Sequence, residues 1–336
     1  MLQRPQSPVK WFGALAALVT FAALLGAAFA QDAQLEPKLV LYASHPTEMV
    51  DFFTSRFTEE YGVEVELVYA GTGELLARIG AEAARPQADL MWGGGSDTGA
   101  SKPELFLPYD SPALEGVTPQ YRDEAGYNVP FDAFTMVLLY NKDLVAADAV
   151  PQTWADLTDP KWKGKVVHAN PATSGSAYAA MVGWLGIGGW ELVEALARNQ
   201  VIAESSSAPF TQVGQGENAI GVAYEEGAFR WLPSGKVGIV YPSDGVLVGT
   251  GGLFIVRGGP HPNAARAFAD FVIAREQQQA LADNFPGRRP THKDVKLNPA
   301  MTPFEELNGI IYTVAEAAAR REEYLAQWRQ IMLRTR

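Results

Sequence analysis

The sequence predicts an α/β protein with a parallel sheet. Short apolar strands alternate with amphipathic helices over residues 38–97 in the order β-α-β-α-β, which calls for a sheet covered on its faces by helices. The loops at the carboxyl ends of these strands, "ASHPT" (43–47), "AGTGE" (70–74) and "GGGSD" (93–97), are rich in Gly, Ser, Thr or His. Ligands on such sheets bind at that edge. Each loop alone also reads as a tight turn; three together favour a site.

"KLVLYAS" (38–44) reads as a buried strand. The next segment has Met49, Phe52, Phe53 and Phe57 near helical spacing and ends at Gly62. "VEVELVYA" alternates like a strand, "GTGELLARIGAEA" restarts a helix, and "ADLMWGG" is a strand running into glycines. Strand-like runs fill residues 127–145, and a second α/β unit starts near residue 135. In it "KVVHA" is a strand, "TSGSAY" leads into a helix, and residues 219–229 read as a strand followed by a loop. Residues 236–259 hold further strands. "HPNAARAFADFVIAREQQQALADN" is amphipathic helix, "FPGRRPTHKDV" a loop, and the chain closes in helix.

The chain has 336 residues, enough for two domains each with a core. Hydrophobic residues make up 47% and charged residues 19%, the balance of a folded protein, and the net charge of −11 with no basic stripe speaks against nucleic acid. An acidic total still permits an anion site, because a pocket's field is local. Residues 1–30 read as a signal peptide: Arg4 and Lys10, an apolar run, then Ala28-Phe29-Ala30 before Gln31. With no cysteine, the chain has no disulfide, no thiolate metal site and no lipid-bearing cysteine. The expected location is the periplasm.

"TWADLTDPKWKGKVVHANPATSG" gives the chain a likeness. With "LVLYAS", "ADLMWGGG", "GENAIGVAY", "YPSDG", "HPNAARAFADFV" and "PTHKDV", it resembles the substrate-binding proteins of ABC importers. The branch is the one holding ferric-ion, thiamine, phosphonate and sugar-phosphate binders. The resemblance covers residues 38 to about 300 and implies a type II periplasmic binding fold: two α/β lobes, two crossing strands, and a ligand in the cleft. It places lobe one at 35–131 plus 246–300, lobe two at 132–245, and the C-terminal helices (301–336) on lobe one. The crossings fall near Val129–Asp132 and Ser243–Leu247. It implies a monomer that takes a small-molecule ligand, needs no cofactor, and docks on the permease and ATPase of an inner-membrane importer.

In ferric relatives a Ser-Gly-Ala turn holds a phosphate that shares the metal, and in sugar-phosphate and phosphonate relatives the equivalent helix start holds the ligand's phosphorus group. The matching residues are Ser174, Gly175 and Ser176. Orphan N–H groups and the positive end of a helix favour an anion there; a capping side chain is the other reading. Thr72 and Gly73 face it from the other lobe by resemblance, with Ser44 beside them. Glu225, Asp244 and His45 are the expected partners for ligand donors, with Ser205–Ser207 as added hydroxyls and Trp92 and Tyr241 as walls. The ligand expected is a sugar phosphate or organophosphonate.

The alternative is ferric ion on Tyr224, Glu225 and His45. Ferric relatives carry two adjacent tyrosines, and here Glu225 replaces the second. His168 reads as structural, His261 as a helix start, and Arg288 with Arg289 as a solvated surface pair, with anion binding as their other reading. An enzyme, such as a hydrolase on the same fold, is not expected: "ATSGS" lacks the G-x-S-x-G elbow, and there is no dinucleotide fingerprint, Walker loop or zinc spacing.

Overall fold

The computed structural model describes residues 35–311 and 314–335. The signal peptide read at residues 1–30 lies outside them. No helix among the described residues is long and apolar enough to cross a membrane.

Strand β1 (Lys38–Ala43) buries Leu39 to Ala43. Helix α1 (Thr47–Tyr61) buries Met49, Phe53 and Phe57 of its predicted apolar face, and Gly62 closes it at φ 69°. Strand β2 (Glu64–Tyr69), helix α2 (Thr72–Ala81) and strand β3 (Leu90–Gly95) complete the first unit, with β2 and β3 both parallel to β1. The short elements α3 (Asp97–Ala100) and β4 (Phe106–Leu107) lead to the long strand β5 (Val129–Asn141).

The second unit is β6 (Val166–Ala169), α4 (Gly175–Asn199), β7 (Gln200–Ala203), α5 (Ala208–Gln215) and β8 (Ile220–Tyr224), with β7 and β8 flanking β6 in parallel. The predicted loop after β8 is instead a short helix, α6 (Glu225–Phe229), followed by β9 (Val237–Val240). After β10 (Val246–Val256), the predicted long helix is two, α7 (Pro262–Ile273) and α8 (Arg275–Asn284), separated at Ala274. Then come β11 (Arg289–Pro290), β12 (Gly309–Ile311), α9 (Val314–Ala319) and α10 (Arg321–Thr335).

The strands form one sheet in the order β2-β1-β3-β10-β5-β8-β6-β7. Two parallel halves therefore meet across the antiparallel pair β10/β5. Strand β5 pairs with β10 along residues 129–136 and with β8 and β9 along 136–141, so one strand serves both halves. The first half packs around Tyr42, Leu75, Met91, Phe106 and Phe254, the second around Leu138, Trp154, Trp184 and Phe210.

The C-terminal helix corrects an expectation. Instead of packing on lobe one, α10 buries Tyr324, Leu325, Trp328 and Ile331 in the cluster of the second half. Its apolar face fits α4, and the Trp328 indole N–H donates to Asn170. Only its first turn reaches the other half, where buried Arg321 pairs with Asp97 at 2.5 Å and Glu322 with Lys102 at 3.0 Å.

His168 is fully buried in β6 against the Trp184 ring, a structural position. Burial holds its pKa down at about 4. The folded state thus resists a proton that the unfolded chain accepts near pH 6.5, so stability present above that pH is lost as the pH falls toward 4. We expect urea unfolding at pH 4.5 to show a loss of up to about 3 kcal/mol relative to pH 7 from this residue. A His168→Phe variant should show a smaller loss; an equal loss would place the acid sensitivity elsewhere.

Candidate functional site

The loops after β1 and β3, the start of α2 and the start of α4 converge on a small cavity of about 50 Å³. Ser44, His45, Thr72, Gly94, Gly175, Ser176, Ser206, Tyr224, Gly251 and Arg288 line it, with Phe134 and Pro46. A water needs about 10–15 Å³ of such space. The cavity therefore holds a few waters or one tetrahedral oxyanion, and not a sugar ring. Beside it lies a cleft of about 530 Å³ that shares Ser44, His45, Pro46, Ser206 and Tyr224 and extends past Tyr69, Phe210, Glu204 and Arg230. The arrangement is a compact inner chamber opening into a roomier outer one.

The chamber is rich in donors. Ser174 caps α4, its Oγ accepting from the Ala177 N–H at 3.2 Å. The capping reading thus holds for Ser174, while Gly175 and Ser176, in the first turn where N–H groups lack intrahelical acceptors, line the chamber. Helix α2 has no side-chain cap, and its first residue, Thr72, shares a hydrogen bond with the Ser44 hydroxyl at 3.1 Å. Ser206 donates to Ser174 Oγ at 2.7 Å, which ties the serine run to the capped helix start.

The expected polar partners divide. His45 and Tyr224 reach the chamber. His45 Nε2 is buried without a hydrogen-bond partner, and burial, aided by the nearby Arg288 charge, holds the ring well below the usual histidine pKa. Burial, with Glu226 close by, pushes the Tyr224 phenol above its usual range.

Glu225 does not reach it. It is fully buried and accepts from Arg289 Nε at 2.8 Å and Nη2 at 2.9 Å, from Thr135 Oγ1 at 2.6 Å, and from the Tyr241 hydroxyl. Its neighbour's charge uses up both oxygens. Asp244 is also displaced: it accepts from the Trp154 and Ala155 N–H groups at 3.0 and 3.2 Å and so caps the turn that follows. Gly73 is backbone against backbone, its N–H 3.4 Å from the Thr173 carbonyl. Trp92 is core, against Phe131 and Phe268.

Arg288 and Arg289 are not a solvated pair; their exposures are 5% and 3%. Arg288 donates to Asp132 and, at 3.0 Å, to Glu226, and stands 5.2 Å over the Tyr224 ring. Arg230 takes the other oxygen of Glu226 at 2.6 Å. Three arginines thus face three carboxylates behind the chamber, and Arg288 presents part of its surface to it. The sequence reading missed this because a double arginine in a Pro/Gly loop looks exposed. The three acids at 132, 225 and 226, in or beside apolar strands, were the available signal.

The pattern of bacterial extracellular solute-binding proteins matches residues 53–307. The chain belongs to that family. Binding proteins of this family, rather than enzymes, are the ligand-carrying components that work with the permease and ATPase of ABC importers. A periplasmic Fe(3+)-binding protein of Serratia marcescens is 25% identical over 83% of this chain and 86% of its own. The binding protein AfuA of Actinobacillus pleuropneumoniae, solved with exogenous fructose 6-phosphate, is 26% identical. It superposes with a TM-score of 0.82 over 88% of this chain and 98% of its own. Iron-bound HitA of Pseudomonas aeruginosa, at 23% identity, shares the fold with a TM-score of 0.77 over 88% and 99% of the two chains. This solute-binding protein has the two-lobed type II fold of its relatives, with β5 and β10 as the crossing strands.

Proposed function

We propose that this solute-binding protein captures a small organic anion with a phosphorus-containing head, a sugar phosphate or organophosphonate, for an ABC importer. The two lobes, residues 35–131 with 246–300 and residues 132–245, close over it. The observation that carries the reading is the chamber itself: two helix starts, the hydroxyls of Ser44, Thr72, Ser176, Ser206 and Tyr224, and Arg288 around a space sized for one oxyanion. The ligand's organic part then occupies the outer cleft. AfuA, solved with fructose 6-phosphate, is a relative with a matching ligand class. The ligand-binding set becomes Ser44, His45, Thr72, Gly175, Ser176 and Tyr224, with Ser206 and Arg288 added. The protein acts as an extracytoplasmic monomer.

Less supports the ferric alternative. Glu225 is committed to Arg289, which leaves Tyr224 without the second oxygen ligand that the ferric reading gives it. Among the described residues no three His, Asp or Glu side chains cluster to hold a metal.

The test is a thermal-shift titration with fructose 6-phosphate, an aminoalkylphosphonate and ferric citrate. A phosphorylated compound at a thousandfold its Kd should stabilise the protein by about 4 kcal/mol. Ser176→Leu, which fills the chamber, should remove the shift. A response to iron alone, with a visible tyrosinate band lost in Tyr224→Phe, would overturn the reading.

A further inference from the structure

Behind the donor-rich lining of the chamber stands a buried acceptor. Asp132 is fully buried on β5, opposite Gly251 of β10. Its Oδ2 accepts from Arg288, and its Oδ1 has no hydrogen-bond partner. That oxygen lies 2.3 Å from where a Cβ on Gly251 would stand, and Gly251 is part of the chamber wall. Asp132 is not itself a lining residue; the missing side chain of Gly251 leaves only bare backbone beside its Oδ1. His45 Nε2, also buried and unpartnered, belongs to the same lining.

A fully ionised oxyanion offers only acceptors. Set against a buried carboxylate oxygen, it leaves two acceptors facing each other without a proton, which is costly in a dry site. An oxyanion that keeps one hydroxyl donates to that oxygen and satisfies it. We propose that Asp132, with His45 beside it, makes this site selective for oxyanions that still carry a proton: singly protonated phosphate monoesters, phosphonates and phosphate, against sulfate and sulfate esters. The inference rests on the oxyanion reading and narrows its ligand class. Discrimination of this kind is large, because a binding site built to pair with a hydroxyl rejects an analogue that lacks it.

The charged and titratable groups facing Asp132 and His45 are Arg288, Glu226 and Tyr224, with Arg230 beyond Glu226. Burial raises the Asp132 carboxyl above its ordinary pKa, and the Arg288 charge and its direct hydrogen bond work against that rise in favour of the carboxylate. Burial keeps His45 neutral, so it too presents an unpaired nitrogen rather than a second positive charge.

The experiment is calorimetric titration of the protein with inorganic phosphate, sulfate and fructose 6-phosphate, in the wild type and in Asp132→Asn. Asparagine keeps the shape, still accepts from Arg288, and turns an N–H toward the ligand in place of Oδ1. The wild type should prefer phosphate over sulfate by about a hundredfold or more, and Asp132→Asn should bring the two within about tenfold. Affinity for fructose 6-phosphate should fall about tenfold per pH unit above roughly pH 6, where the phosphoryl group loses its second proton. This pH profile and the wild-type preference need no variant, so they decide the matter even if Asp132→Asn does not fold. Phosphate and sulfate binding within tenfold in the wild type, an unchanged preference in Asp132→Asn, or a flat profile from pH 6 to 8 would each overturn the selectivity and leave the oxyanion site standing. Failure of all three compounds to bind would overturn the oxyanion reading and the selectivity with it.

Discussion

Gly73→Ala is expected to weaken ligand binding about a hundredfold without lowering the melting temperature of the ligand-free protein. Gly73 lies in the first turn of α2, where alanine is a better helix former by about 1 kcal/mol. Within its own lobe the substitution costs nothing. Across the cleft, however, a Cβ at this position would lie 2.1 Å from the Ala172 carbonyl oxygen, a backbone atom that cannot swing aside. The neighbouring Gly71 would meet the Thr173 carbonyl at 2.7 Å in the same way. The lobes close on a seam of bare backbone, and one methyl group holds them apart by about 1 Å at the point where the donors of α2 and α4 must converge. A misplacement of that size costs roughly a hundredfold where several groups grip one centre. Calorimetry with the bound phosphorylated compound reads the affinity, and a melting curve without ligand reads the fold. Wild-type affinity in the variant would mean that this seam is no part of the closed, ligand-bound form.

The fold was legible because its signals are local. The alternation of β1 to β3 and the spacing of Met49, Phe53 and Phe57 report burial directly, and Gly62 reports the left-handed close of α1. That β10 returns to lie between β3 and β5 is not legible from chain order. The pairing of β5 with β10, 117 residues on from Val129 to Val246, is a long-range fact, and the likeness to a family gave only crossings near Val129–Asp132 and Ser243–Leu247. The place of α10 was misjudged for a related reason. Its apolar face shows that it packs, and nothing in the sequence states against which half.

At the site, the residues found were those whose chemistry is carried by the backbone. The start of α4 and the loops after β1 and β3 are recognisable as short runs of small residues, and Ser44, His45, Thr72, Gly175 and Ser176 do reach the chamber. Charged residues were read poorly, because whether an acid faces a ligand depends on which arginine reaches it first. Glu225 and Asp244 are taken by Arg289 and by the Trp154 turn. Arg288, which lines the chamber, and Asp132, which pairs with it from behind, read as a surface loop and a strand residue.

The exchange of roles at Glu225 can be tested by stability rather than by binding. Glu225→Ala should destabilise the protein by about 3–5 kcal/mol, because it leaves the buried Arg289 guanidinium without its bidentate partner. The Thr135 hydroxyl and the Tyr241 phenol lose their acceptor at the same time. At about 2–4 °C per kcal/mol, the melting temperature should fall by roughly 10 °C. Removing both charges in Glu225→Ala/Arg289→Met should recover much of that loss, since the pair's attraction is offset by the cost of burying it. A ligand-contacting glutamate predicts the reverse: a modest stability change, a large loss of affinity, and no rescue by changing Arg289. The double-mutant cycle in urea therefore separates a structural ion pair from a ligand contact. It also bears on metal, for a carboxylate whose oxygens are all held by arginine, threonine and tyrosine has none to give to iron. A sub-kilocalorie effect of Glu225→Ala on unfolding, together with lost ligand or iron binding, would return this residue to the site.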